Sequence, residues 1–260
     1  MKDFFSTEKP FSSWQIQGLH DKPAKLFSSL SSTHRYTKDH LRELNAGDVV
    51  VADSQQNGRG RHERTWLSPA GKNLYFNILY PLQGFTPKEY PQLMQITAIS
   101  IAQLVRQIGI QASVKWPNDI LCDKKKFCGM ISELLNKNGE PLLNIGIGID
   151  VNASEMDFKE IERPVTSLML LLGEKVNREI LLQEILQKLK SALETTRIQG
   201  IRPWIEEWRK MDQFIGNTAR IVEGETTIEG TILDINDDGS LLFCTRSGEI
   251  LSRYTGDLEI

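Results

Sequence analysis

Residues 112–152, ASVKWPNDILCDKKKFCGMISELLNKNGEPLLNIGIGIDVN, decide the fold of this 260-residue chain. Apolar and β-branched residues cluster at 112–116, 129–135 and 142–151, and each cluster predicts a strand. Between the last two clusters, KNGE at 137–140 has the composition of a hairpin turn, which joins antiparallel neighbours. This stretch therefore predicts the centre of an antiparallel or mixed sheet.

The flanking sequence adds strands and helices to that sheet. Residues 48–53 (DVVVAD) and 73–80 (NLYFNILY) predict two more buried strands. Apolar residues recur at three- and four-residue spacing over 90–109 and 178–195, which predicts two amphipathic helices, and 37–44 predicts a shorter helix. We therefore expect an α+β fold, with helices packed on a mixed β-sheet.

The last part of the chain has a different pattern of apolar and polar residues. From residue 214 onward, short alternating segments are separated by the turns EGE, DDGS and RSGE. Such spacing is typical of small all-β units. We therefore expect two domains, a larger one over 1–213 and a small β-barrel over 214–260.

Composition and charge exclude several classes of protein. With 40% hydrophobic and 25% charged residues, the chain falls in the globular range, which excludes disorder throughout. Its 31 basic and 34 acidic residues give a net charge of −3, so no global positive field attracts nucleic acid. No apolar run approaches the roughly 18 residues of a membrane span, and the start lacks a secretory signal. The three cysteines form no C-x₂-C pair, which fits a reducing compartment. From these observations together we expect a cytoplasmic protein without nucleic-acid or membrane partners.

The most unusual stretch is 57–72, NGRGRHERTWLSPAGK, with four basic residues and one acidic residue. The guanidinium groups of Arg59, Arg61 and Arg64 match carboxylate or phosphate oxygens, and the glycines beside them let the backbone approach a ligand. Trp66 offers an aromatic face for stacking on a heterocycle. A solvated basic loop is the alternative, although solubility alone does not explain this combination. The stretch matches neither a Walker A motif nor a dinucleotide-binding fingerprint.

A second constellation begins at 114–119, VKWPND, where Pro117 breaks a strand and Asn118 and Asp119 supply an amide and a carboxylate. Seven residues after Asp119, Lys126 is the last of three lysines and precedes FCG. The first two lysines fit a solvent-exposed hairpin tip. The apolar residues after Lys126 predict the start of a strand that turns its ammonium inward, where it needs an anionic partner.

Two glycines interrupt the apolar strand predicted at 142–151. Glycine inside a strand marks either a β-bulge or the close approach of a ligand, and both interpretations stay open for Gly146 and Gly148. Asp150 ends the run in apolar surroundings. Upstream, SSTH at 31–34 precedes the first predicted helix, where a serine or threonine could simply cap that helix.

Together these segments resemble the biotin protein ligases, in which a G-R-G-R-x-x-R-x-W loop, a K-W-P-N-D turn followed by a lysine and a glycine, and a G-I-G-I-[ND]-V-N strand recur in this order. The resemblance covers about residues 28–170, and the tail is similar to the family's SH3-like C-terminal domain. It implies a mixed sheet related to class II aminoacyl-tRNA synthetases and lipoate ligases. It also implies a monofunctional type, because about 30 residues before the SSTH segment leave no room for a helix-turn-helix module.

The resemblance implies an activity in two steps. Such enzymes use ATP and Mg²⁺ to convert biotin into biotinyl-5′-AMP, and then transfer the biotinyl group to one lysine of a biotin carboxyl carrier protein, such as that of acetyl-CoA carboxylase or another biotin-dependent carboxylase. The acceptor lysine has an ordinary pKa of about 10.4, so a group must position or deprotonate it, and Asp119 is the candidate. Lipoyl or octanoyl transfer on the same fold is the alternative, a DNA-binding repressor is disfavoured, and exposed sheet edges would allow a homodimer.

The resemblance also assigns site residues by position. Lys126, Arg59 and Asp119 are expected to be catalytic. The biotin site is expected to comprise Ser32, Thr33, His34, Gln55, Arg59, Gly60, Arg61, Lys126 and Gly129. The ATP and adenylate site is expected to comprise Arg61, Arg64, Trp66, Lys115, Asn118, Asp119 and Asp150. The sequence does not identify metal ligands.

Three positions depart from the family's pattern. Glu63 stands where glycine is common and lowers the charge of the arginine-rich loop. His34 replaces an asparagine near the biotin ring. Asp150 replaces a frequent asparagine and would favour a metal ion over a neutral hydrogen bond.

Overall fold

A computed structural model describes residues 3–62 and 64–260 of the chain, so the departure at Glu63 lies outside the described residues. Seven strands form the main sheet. They are β1 (Lys25–Phe27), β2 (Val49–Ala52), β3 (Leu74–Pro81), β4 (Ser113–Lys115), β5 (Asp119–Cys122), β6 (Lys125–Lys137) and β7 (Glu140–Ile149). Their order is β1-β2-β3-β7-β6-β5-β4, and β1 pairs with β2 in parallel while the other neighbours are antiparallel. The predicted mixed sheet is confirmed.

Five α-helices cover the two faces of this sheet in the described residues. They are α1 (Thr33–Asp39), α2 (Tyr90–Gln107), α3 (Leu168–Leu172), α4 (Arg178–Gln199) and α5 (Arg202–Met211). Helix α2 packs against α4, α5 and the strands β4 to β6, and this side holds the large hydrophobic core. Helix α1 packs on the opposite face over β2, β3 and β7, above a second, smaller apolar cluster.

Local chemistry explains where several elements begin and end. Helix α1 begins four residues earlier than the polar pattern predicts, because the Ser32 hydroxyl caps it by accepting from the Arg35 N–H. The β6–β7 hairpin turns at Asn138 and Gly139, whose φ values of 54° and 92° lie in the left-handed region that asparagine and glycine adopt most readily. This turn falls within the predicted KNGE segment and sets the register of the two longest strands.

The C-terminal strands form a second sheet. They are β8 (Thr218–Glu223), β9 (Thr226–Ile235), β10 (Leu241–Thr245), β11 (Ile250–Arg253) and β12 (Asp257–Glu259), all antiparallel in the order β11-β10-β9-β8-β12. Among the described residues the edge strands β11 and β12 do not pair with each other, so the sheet is open and the predicted barrel is not closed. Strand β12 is three residues long, too short to seal such an edge.

Other expectations on organisation stay predictions. One hydrophobic core runs from the main sheet to Ile221 and Phe243 of the second sheet, and the boundary between residues 213 and 214 is still a prediction. A homodimer through exposed sheet edges is likewise a prediction. Among the helices in the described ranges, none is long and apolar enough to cross a membrane.

Candidate active site

Three glycines form the floor of a cavity on the α1 side of the main sheet. Gly146 and Gly148 lie on β7, and Gly129 on β6 pairs with Gly148. Strand β7 keeps a regular register with both β3 and β6 here, so the bulge interpretation is wrong, and the groups that approach these glycines closely are side chains of the protein. We call this space of about 80 Å³ the glycine cavity.

The glycines make room for two functional side chains. A methyl group built on Gly148 would lie 2.5 Å from Cε2 of the Trp66 ring, and one on Gly129 would lie 2.7 Å from Nζ of Lys126. Any larger residue at either position would displace these groups. The absence of side chains on the floor is therefore what lets Trp66 and Lys126 lie flat against the sheet.

Lys126 reaches the cavity because of a β-bulge. The pairing of β5 with β6 shifts between Ile120 and Leu121, which leaves Phe127 without an opposing residue and puts Lys126 at the cavity wall with Gly129. The Lys126 side chain is 13% exposed, and its ammonium lies 2.5 Å from Asp119 Oδ1. The anionic partner that the sequence predicts is present, and so is the inward direction, although this direction results from the bulge and not from the regular alternation on which the prediction rests.

The arginine-rich loop folds into a narrow hairpin beside the floor. Gly60 N–H donates to the Arg64 carbonyl oxygen (2.7 Å), and Trp66 N–H donates to the Gly58 carbonyl oxygen (2.9 Å). A methyl group on Gly58 would lie 2.4 Å from the Trp66 carbonyl oxygen, so this crossing requires glycine. The hairpin places Arg59, together with Gly60, Arg61 and Arg64, in the lining of the glycine cavity.

One carboxylate of the second sheet holds this loop. Asp257, on β12, lies 3.3 Å from Arg61 Nη1, 2.7 Å from Arg64 Nη2 and 3.4 Å from His62 Nε2, and its side chain is 14% exposed. Arg61 Nη1 also donates to the Gly256 carbonyl oxygen (3.0 Å). The C-terminal strand therefore forms part of the cavity wall and fixes the arginines in place.

At the α1 end, the half-buried side-chain amide of Gln55 positions the start of the helix. Gln55 Oε1 accepts from Thr33 N–H (2.8 Å) and from the Thr33 hydroxyl (3.1 Å), and Gln55 Nε2 donates to Ser68 Oγ (3.0 Å). Ser32, Thr33, His34 and Gln55 all line the glycine cavity. All nine residues predicted for the biotin site are therefore together in space.

The residues predicted for the ATP and adenylate site do not all line the glycine cavity. Asn118 and Asp119 line the glycine cavity, and Asn118 Nδ2 donates to the Met130 carbonyl oxygen. The structure does not bring Lys115 to the wall of this cavity. Its ammonium lies 6.0 Å from the Phe214 ring, and burial lowers the pKa of Lys115 although Asp119 raises it in part.

Asp150 lies in an adjoining space of about 640 Å³, which we call the Asp150 cavity and which shares Arg64, Trp66 and Lys126 with the first. Asn73 Nδ2 donates to Asp150 Oδ1 (2.9 Å). Burial raises the pKa of Asp150 to about 8, although Lys126 lowers it in part, so the carboxyl group is protonated at neutral pH. A metal ion would have to displace that proton, and the described chain contains no group of three or more His, Cys, Asp or Glu side chains placed to hold one.

Sequence reasoning missed four residues of this region. Asp257 carries no signal in the sequence that connects it with the arginines. Asn77 and Asn144 are polar residues inside apolar strands, and that contrast is a signal for a buried polar site. Glu133 contacts His34 only through the fold.

The comparisons with known proteins place this fold and cavity in a class of enzymes, the protein ligases. A model of the Biotin/lipoate A/B protein ligase family matches residues 26–152. The Bifunctional ligase/repressor BirA of Bacillus subtilis (strain 168) is 35% identical over 240 residues, which cover 89% of this chain and 72% of that protein. The Biotin–[acetyl-CoA-carboxylase] ligase of Mycobacterium tuberculosis is 25% identical over 201 residues, 75% of this chain and 72% of that one.

Among solved structures, the biotin protein ligase of Aquifex aeolicus in complex with biotin and ATP superposes with a TM-score of 0.79 at 28% identity, over 91% of this chain and 97% of that one. The chain belongs to the Biotin/lipoate A/B protein ligase family, within which its relatives are biotin protein ligases. The predictions of the family and of a ligase enzyme are thus confirmed.

Proposed function

We propose that this chain activates biotin with ATP as biotinyl-5′-AMP and transfers the biotinyl group to one lysine of a biotin carboxyl carrier protein. The observation that carries the proposal is the convergence of Lys126, Arg59 and Arg61 over a floor of glycines in one cavity. The similarity to a ligase that binds biotin and ATP supports it.

In the first step, an oxygen of the biotin carboxylate attacks the α-phosphorus of ATP, and the bond from that phosphorus to the bridging oxygen breaks as pyrophosphate leaves. Two anions must meet, so fixed cations lower the barrier by neutralising charge and by holding the reactants in line. We assign this role to Lys126, together with Arg59 and Arg61, which line the same cavity. Lys126 is partly desolvated, which strengthens its interaction with an incoming anion.

In the second step, the carrier lysine attacks the carbonyl carbon of the mixed anhydride, AMP leaves, and the amine gives up a proton. We assign the positioning or deprotonation of this amine to Asp119, which already orients Lys126 in the cavity. The biotinyl carbonyl is then bonded to the neutral amide nitrogen of the carrier instead of to the charged phosphate of AMP. In this proposal AMP leaves through the Asp150 cavity.

ATP enters as its Mg²⁺ complex in this proposal. Mg²⁺ usually takes one or two protein carboxylates together with substrate phosphates and water, and it needs no dedicated protein cluster. The glycine cavity is lined by the carboxyl groups of Asp119 and Asp257, and the Asp150 cavity also by those of Asp157, Glu160, Glu162 and Glu259, so an ion that the triphosphate brings with it meets carboxylates at the walls of both cavities. The nucleotide would lie in the Asp150 cavity, with Trp66 and Arg64 shared between the two spaces.

The protein partner is a folded carrier domain that presents one lysine. Acetyl-CoA carboxylase is the carrier source that the name of the mycobacterial relative indicates. The arginine-rich loop shields the reactive anhydride from water and must open on one side to admit the lysine. Its attachment to β12 through Asp257 sets how often it opens.

A competition among acids tests the proposal. The wild-type chain is incubated with ATP, Mg²⁺, a carrier fragment and either biotin, lipoate or octanoate, and intact mass together with pyrophosphate release is measured. We expect one biotinyl group per carrier and pyrophosphate release with biotin only. Equal or faster transfer of lipoate or octanoate would assign the chain to the other branch of its family.

A further inference from the structure

An amide network formed by Asn77, Asn144 and His34 lies at the α1 end of the glycine cavity. Asn144 Nδ2 donates to the backbone carbonyl oxygen of His34 (3.2 Å), which fixes this amide because a carbonyl oxygen can only accept. Asn144 Oδ1 therefore faces Asn77 at 2.7 Å and must meet a donor, which is Asn77 Nδ2. The backbone of α1 thus sets the orientation of both side-chain amides.

The same constraint decides which nitrogen of His34 carries the hydrogen. Asn77 Nδ2 lies 3.1 Å from His34 Nδ1, so Nδ1 accepts and the hydrogen is on Nε2. That nitrogen faces Glu133 Oε2 at 3.5 Å, and the other oxygen of Glu133 accepts from Lys38 (2.6 Å). Burial lowers the pKa of His34, although Glu133 raises it in part, so the neutral form is favoured.

Asn77 Nδ2 donates one hydrogen to His34 and the other to Asn144, which leaves the oxygen of the same amide, Oδ1, to be accounted for. The residue is 0% exposed, and within the described part of the chain its oxygen has no hydrogen-bond partner. A methyl group built on Gly146 would lie 3.1 Å from the oxygen, so Oδ1 borders the floor of the glycine cavity, which both residues line. A buried acceptor left unpaired is destabilising, and its place here indicates a ligand that donates to it.

We propose that Asn77 Oδ1 accepts a hydrogen bond from a ring N–H of biotin, and that Asn77 is therefore a specificity-determining residue. This inference rests on the proposed function. Biotin carries hydrogen on nitrogen only in its cyclic urea, because the thioether and the ionised carboxylate have no donor. The urea ring then lies over Gly146, and the carboxylate points along the floor toward Lys126.

Asn77 also explains how the cavity distinguishes biotin from the family's other acids. Gln55 Oε1, the neighbouring amide oxygen, already accepts twice from Thr33, so Asn77 supplies the unpaired acceptor at this end. Lipoate and octanoate contain no N–H group, and either acid would leave Asn77 Oδ1 unpaired beneath it. A site built to accept a hydrogen bond rejects ligands that lack the donor far more strongly than an apolar pocket rejects a change of size.

A binding cycle tests the assignment. Calorimetry compares wild type with Asn77→Ala against biotin and against two analogues in which one or the other ring N–H is replaced by oxygen. We expect Asn77→Ala to weaken biotin binding about tenfold to a hundredfold, and to have no effect on the analogue that lacks the N–H facing Asn77. Asn217→Ala, at an exposed asparagine directly before β8, is the control and should leave all three affinities unchanged.

Two results would overturn the inference. One is an unchanged biotin affinity in Asn77→Ala, and the other is an equal loss for biotin and both analogues. If the variant does not fold, a crystal structure of wild type with biotin decides, because a ring nitrogen should lie within about 3.2 Å of Asn77 Oδ1. Wild type that binds no biotin at all would instead refute the proposed function, so the two failures are distinct.

Discussion

The two ends of the glycine cavity recognise a ligand by different physical means. At the α1 end, Asn77, Asn144 and neutral His34 form directional hydrogen bonds among uncharged groups. At the other end, Lys126 and Arg61 are ionised and paired with carboxylates. Directional amides select a ring by its donors, whereas the charges stabilise an anion that develops during the reaction. The cavity thus separates selection from catalysis along one floor of glycines.

The largest expected effect falls on the charged end. Lys126→Ala should reduce biotin-dependent ATP–pyrophosphate exchange by about 10²- to 10³-fold, because no other ammonium reaches the floor from β6. Lys125→Ala, one residue earlier and exposed, should retain wild-type exchange and serves as the matched control. Exchange at the wild-type rate in Lys126→Ala would remove this lysine from the mechanism.

Arg61→Gly tests whether the loop retains the intermediate. This guanidinium bonds to the Gly256 carbonyl oxygen and to Asp257, so its loss removes two of the contacts that hold the hairpin against the second sheet. We expect biotinyl-5′-AMP to escape about ten times faster and to label bystander proteins, measured by streptavidin blotting with albumin present. Labelling that stays confined to the carrier would show that retention depends on other residues.

Asp257→Asn should have a related but smaller effect. The variant removes the charge that Arg61, His62 and Arg64 share while keeping a side chain of the same size. We expect adenylate release to rise a few-fold, with less change in the exchange rate. Glu229→Gln breaks an exposed ion pair with Arg246 on the same sheet and is the control that should leave release unchanged.

Two titrations of opposite sign distinguish the regions by pH. Because burial raises the pKa of Asp150 to about 8 from about 3.9 in the unfolded chain, the unfolded state holds fewer protons between these values and stability falls as the pH rises. Asp150→Asn should remove this pH-dependent loss in the free energy of unfolding, which amounts to at most about 1.4 kcal/mol per pH unit. Urea unfolding of both proteins from pH 5 to 8 measures the difference. Parallel curves for the two proteins would contradict a buried, protonated Asp150.

His34 should respond in the other direction. Its pKa is lowered by burial below the ordinary value of 6.5, so below that pH the unfolded state takes up more protons and stability falls as the pH falls. His34→Asn should flatten this acid limb, and biotin affinity of wild type should weaken over the same range because a proton on Nδ1 opposes Asn77 Nδ2. If stability falls as steeply at acid pH in His34→Asn as in wild type, other groups cause the decrease.

These regions also differ in how far the sequence predicts them. The arginine loop and Lys126 lie in contiguous, compositionally unusual segments, so their chemistry follows from sequence, whereas the direction of Lys126 depends on a bulge that the sequence does not reveal. The pairing that joins Asn77 to Asn144 depends on the register of β3 with β7, and the contact of Asp257 with Arg61 depends on how the second sheet docks. Strand β5 and the bulge at Phe127 were missed for the same reason, since both depend on tertiary pairing.

The most direct test of the account is a crystal structure of the wild-type chain with a non-hydrolysable analogue of biotinyl-5′-AMP. We predict that the acyl-phosphate linkage lies within hydrogen-bonding distance of Lys126 Nζ, with the urea ring over Gly146 and the adenosine toward the Asp150 cavity. An analogue bound away from the glycine floor, or a Lys126 ammonium directed into solvent in that complex, would contradict it.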